Sequence, residues 1–84
     1  MTLRDIGDMI ADKRRLLGLR QSDLAAKAGL SRATVEALEN GRAREIGFSK
    51  LTRLLAVLGM EFAVRPIGNH RPTLDELLAE DSDD

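Results

Sequence analysis

The stretch Gln21-Ser22-Asp23-Leu24-Ala25-Ala26-Lys27-Ala28-Gly29-Leu30-Ser31-Arg32-Ala33-Thr34-Val35-Glu36-Ala37-Leu38-Glu39-Asn40-Gly41 decides the fold. Leu24, Ala25 and Ala28 recur at helical spacing before Gly29, and Val35 and Leu38 do so between Ser31 and Asn40. Glycine suits the left-handed position that ends a helix, and serine is a good N-cap. Gly29-Leu30-Ser31 therefore reads as a turn between helices over about 21–28 and 32–40. A turn of that length joins helices at a steep angle, as in a helix-turn-helix. Ala25 and Gly29 leave room for close approach, while Leu24, Leu30, Val35 and Leu38 seal the joint. Arg32, Ala33, Thr34 and Glu36 then point outward. A forked guanidinium, a methyl and a hydroxyl in a first helical turn suit base-pair edges in the major groove.

On the N-terminal side, a helix is expected from Thr2, whose hydroxyl can cap the N–H of Asp5, to the residue before Gly18. Ile6, Met9, Ile10, Ala11, Leu16 and Leu17 are expected on its apolar face. The helix beginning at Gln21 has a poor cap in Arg20. On the C-terminal side, Phe48, Leu51, Leu54, Leu55 and Leu58 form the stripe of a helix over about 48–58. After Gly59 the period changes: Met60, Phe62 and Val64 alternate with Glu61, Ala63 and Arg65, a half-buried strand stopped by Pro66. The chain holds no second strand pattern, so this one pairs with another copy or another protein, or does not form. Leu74, Leu77 and Leu78 share one side of a short segment, 73–80, which can hold a helix only by docking on a partner. The expected architecture is all-α, four to five short helices plus one C-terminal β-strand. It divides into a DNA-binding domain over 1–59, a dimerisation strand over 60–66 carrying Met60, Phe62 and Val64, and a linker with acidic tail over 67–84 that is either disordered or partner-binding.

Eighty-four residues make one small domain and exclude a two-domain enzyme. With no cysteine and one histidine, His70, the chain has no disulfide, no ligand set for zinc and no credible nucleophile triad. No catalytic residue, cofactor or metal is expected. The longest nearly apolar run, 54–60, is far too short to span a membrane, and a soluble cytoplasmic protein is expected. The formal net charge of −1 conceals a division. Residues 1–71 hold all 13 basic side chains against 8 acids, a net of +5, whereas residues 72–84 hold 6 acids and no base, −6. A basic body points to a polyanion partner, and the tail to a separate role.

Leu19-Arg20-Gln21-Ser22-Asp23-Leu24-Ala25, Ala28-Gly29-Leu30-Ser31-Arg32-Ala33-Thr34-Val35 and Leu38-Glu39-Asn40-Gly41 resemble, in order and spacing, the lambda-repressor-like (Cro and repressor, or XRE) family. The resemblance covers about residues 3–59. It implies a dimer that binds operator DNA and represses transcription. It places Gln21 at a phosphate or base, Ser31, Arg32, Ala33 and Thr34 at the reading turn, and Asn40 at the DNA backbone. Arg42, Arg44 and Lys50 flank the loop where the family contacts phosphates, and Arg20, which replaces the usual Thr or Ser, is an added phosphate contact or a weak cap. Arg14 and Glu39 stand where the family commonly buries an ion pair. Leu58-Gly59-Met60-Glu61-Phe62-Ala63-Val64-Arg65 further resembles HipB-type antitoxins, which pair this strand across a dimer, neutralise a toxin and repress their own operon. The alternative is a protein-interaction module of the same fold that does not bind DNA, favoured by Glu36 and Glu45 beside the basic residues.

Overall fold

The computed structural model describes residues 1–67, and these form four α-helices: α1 (Leu3–Leu16), α2 (Gln21–Ala28), α3 (Arg32–Glu39) and α4 (Phe48–Val57). Each begins and ends within two residues of its expected limits. Thr2 caps α1 as expected: its Oγ1 accepts from the Asp5 N–H at 3.2 Å, and Asp5 Oδ2 accepts from the Thr2 N–H at 2.9 Å. These bonds hold the Asp5 carboxyl below its ordinary pKa. Lys13, Arg14 and Arg15 occupy the last turn, where cations complement the helix dipole. Ser31 caps α3, its Oγ accepting from the Thr34 N–H at 3.1 Å.

Arg20 offers α2 no acceptor. The start of that helix is held from the other side, because Asp23 Oδ2 accepts the Arg20 backbone N–H at 2.9 Å, half of a capping box. Gly18, Gly29, Gly41 and Gly59 all take left-handed φ, between 71° and 75°. At Gly29 this conformation turns the chain directly from α2 toward α3, with the Leu30 N–H donating to the Ala25 carbonyl at 2.9 Å.

Ile10, Leu24, Val35, Leu38, Leu54 and Leu58 are the largest fully buried side chains and join all four helices in one core. Gly7 makes the closest packing. A Cβ built there would lie 2.1 Å from the Leu38 carbonyl oxygen, so α1 and the end of α3 approach at a distance that only glycine permits. The sequence reading had overlooked this residue.

Two expectations about apolar faces need correction. The buried stripe of α1 runs through Gly7, Ile10, Ala11 and Arg14, so Met9 and Leu16, seven residues apart on another face, are exposed, and Leu17 is exposed beyond the helix end. Phe48 opens α4 before that helix reaches the core and is 71% exposed, stacked only on Phe62 with ring centroids 5.7 Å apart. Among the described residues there is no strand: 60–67 carries no regular structure, Met60 alone is half-buried, and Val64 is fully exposed. A single extended segment without a neighbour cannot satisfy its backbone groups in a ladder. Leu74, Leu77 and Leu78 lie outside the described residues.

Candidate nucleic-acid interface

The turn after α2 presents the first turn of α3 to solvent. Arg32 and Ala33 are exposed, and Thr34 is half-buried, its hydroxyl 2.9 Å from that of Ser31. Thr34 also lines a cleft of about 390 Å³ with Glu45, Ile46, Gly47 and Lys50. The cleft sets the start of α3 against the start of α4, where Gly47 supplies no side-chain cap and the first backbone N–H groups need outside acceptors. Arg32, Arg44 and Lys50 make no ion pair among the described residues.

The remaining candidates are engaged within the protein. Glu36 accepts from both Arg42 Nη2 and Asn40 Nδ2, the latter at 2.9 Å. The Arg42 bond, despite some desolvation, holds the Glu36 carboxyl below its usual range. Arg20 donates to Asp23 through Nε and Nη2 at 3.1 and 3.2 Å, and the Asp23 carboxyl is lowered in turn. Two of the expected phosphate-binding guanidiniums therefore carry an intramolecular counterion. Both pairs are exposed, so water screens them and they can be exchanged for another anion at small cost.

Behind the surface lies a buried clamp. Arg14 donates Nε to Glu39 Oε2 at 2.7 Å and Nη2 to Oε1 at 2.8 Å, and its Nη1 donates to the Leu19 carbonyl at 2.8 Å. Gln21 Nε2 adds the fourth bond of the clamp, donating to Glu39 Oε1 at 3.0 Å. Burial pushes the Glu39 carboxyl up, but the bonds from Arg14 and Gln21 outweigh it and hold the group below its ordinary value. The clamp ties α1, the turn after it, the start of α2 and the end of α3 to one carboxylate, and so sets the angle at which α3 is presented. No buried side-chain polar atom among the described residues lacks a partner.

The sequence reading placed Gln21 only at DNA and did not foresee its bond to Glu39. A glutamine at the start of a helix carries no sign of a partner 18 residues away. Glu36 as a joint acceptor was equally invisible, although its spacing of four from Asn40 is a helical contact distance.

The model of the helix-turn-helix family matches residues 10–64, well over half of the chain. The protein belongs to this family, that of the Cro and repressor-type helix-turn-helix, whose members are sequence-specific DNA-binding regulators. A search of curated proteins found no match. No helix of the described residues is long and apolar enough to cross a membrane.

Proposed function

We propose that the protein is a transcriptional repressor that binds a palindromic operator as a homodimer, with α3 as the reading helix. The observation that carries this reading is the exposed first turn of α3, Arg32 and Ala33, seated on a clamped joint beside a cleft with the uncapped start of α4. In this reading Arg32, Ala33 and Thr34 meet base edges, and Ser31 lies at the same DNA-facing turn. Arg20, Asn40, Arg42, Arg44 and Lys50 meet phosphates and Gln21 a phosphate or a base, with Glu36 and Asp23 giving up their cations on binding. Residues 1–59 form the DNA-binding unit. Residues 60–66 pair across the dimer, and apolar surface beside them supports this: Met9, Met60 and Phe62 line a cavity of about 190 Å³ with Ile6 and Leu55, and Val64 is bare.

By its likeness to antitoxins, the protein is further proposed to repress its own operon and to bind a toxin through Leu74, Leu77 and Leu78. A downstream reading frame for a kinase-like toxin, and co-purification of its product with the full chain but not with a chain ending at Arg71, test that part.

The DNA reading is tested by titrating Arg32→Ala and Arg42→Ala against operator and scrambled duplexes. Arg32→Ala is expected to cost about 1–3 kcal/mol on the operator and to relax preference at one base position. Arg42→Ala is expected to weaken both duplexes alike and to flatten the salt dependence by about one unit of slope. Equal loss on both duplexes for Arg32→Ala overturns the assignment of α3.

A second reading, a protein-interaction module without DNA contacts, draws on the engagement of Arg20 and Arg42 by Asp23 and Glu36. It requires that DNA affinity be weak and nearly independent of salt.

A further inference from the structure

Charge is distributed unevenly within the folded body. Leaving aside the buried Arg14–Glu39 pair, residues 1–19 carry three basic and three acidic side chains, and residues 60–67 carry Glu61 and Arg65. Both regions are neutral. Residues 20–58 hold seven basic side chains, all exposed, against Asp23, Glu36 and Glu45, a net of +4. The whole excess positive charge of the described residues therefore lies within residues 20–58, the segment that carries α2, α3 and α4. Residues 72–84 bring Asp75, Glu76, Glu80, Asp81, Asp83 and Asp84 with no base, −6, on the same chain.

We propose that this acidic segment is a built-in polyanion: it occupies the basic face of residues 20–53 when DNA is absent, and DNA displaces it. The inference rests on the DNA-binding reading for the identity of the competitor. Reach permits the contact. Seventeen residues follow Ile67 and span at most about 58 Å, while a 67-residue body is about 28 Å across, with a half-circumference of about 45 Å. Tethering raises the local concentration of the segment to about the millimolar range, enough for a weak contact to be populated. With a Debye length of about 8 Å at physiological salt, the attraction acts only near contact, and basic side chains outnumber acids most over residues 20–58. The exposed Arg20–Asp23 and Arg42–Glu36 pairs already show that cations of this face take carboxylates as counterions.

The absence of cysteine makes a direct test simple, because Ser82→Cys gives the full chain a single spin-label site. In the DNA-free protein at about 50 mM salt, where the Debye length is longer than 10 Å, amides of Arg32, Ala33, Gly47 and Lys50 should broaden more than those of α1. The broadening should be lost at about 300 mM salt, or on adding a 30-base-pair duplex of random sequence. Truncation after Arg71, and replacement of the six acids by their amides, should each raise affinity for that duplex about five- to tenfold at low salt and less than twofold at high salt.

Broadening that is uniform, or centred on α1, overturns the proposal. So does broadening that appears only between labelled and unlabelled copies in a mixed sample, which would place the segment on a second chain. Raised affinity on truncation without any DNA-free contact reduces the segment to simple repulsion of phosphates and likewise overturns it. If neither chain binds the duplex, the DNA reading fails, while the broadening pattern still decides whether the segment sits on the basic face.

Discussion

At the scale of single residues, Arg14 and Glu39 do the most to hold the reading helix, because their charges are buried and fully bonded. Removing one partner strands the other's charge, at a cost of about 3–5 kcal/mol. A domain of this size has a total stability of only about 3–10 kcal/mol. Arg14→Met and Glu39→Leu are each expected to be largely unfolded or to melt far below the parent, with the double variant recovering part of the loss. Small, additive losses in thermal melts would contradict this. The same carboxylate sets a pH dependence. Its pKa is lowered on folding from the ordinary 4.5, so the stability it contributes is complete above that value and disappears as pH falls through the lower, folded-state value. Denaturant unfolding of the parent should weaken below about pH 4.5, and Glu39→Gln should show a shallower acid limb. Parallel curves for the two proteins would rule out Glu39 as a contributor.

At the scale of elements, helix ends and helix contacts were not equally readable. Thr2, Ser31 and the four left-handed glycines announced the limits of the helices, since caps are local chemistry between residues a few positions apart. Helix faces were read less well. Met9, Leu16 and Phe48 are apolar and helically spaced, yet exposed, because a face is buried only where another element covers it. The converse case is Gly7. Glycine inside a helix normally weakens it by about 1 kcal/mol relative to alanine. Here alanine is predicted to be worse, since its Cβ would collide with the backbone of Leu38 and would force α1 away from α3. Gly7→Ala is expected to cost about 2–3 kcal/mol in denaturant unfolding, the range of an overpacked core. A neutral or stabilising result would show that α1 can shift without loss.

At the scale of the whole molecule, the segment after α4 has no partner in one chain and is proposed to find it in another. An antiparallel ribbon across a two-fold axis would satisfy its backbone, cover Val64 and set the two reading helices about 34 Å apart, one turn of DNA. Ala63→Pro removes a ladder N–H and should give monomers by light scattering at micromolar concentration, and a variant that stays dimeric rejects the ribbon. The order of the helices, the caps Thr2 and Ser31, the turn at Gly29 to Ser31 and the outward Arg32 and Ala33 could be read from residue order alone, because each depends on neighbours within one or two helical turns. Arg14–Glu39 was anticipated only through family resemblance. Gly7 against Leu38 and Gln21 on Glu39 emerged only when the helices were set against one another. Each of these depends on which side chains the packing brings within a few ångströms, and spacing along the chain does not encode that.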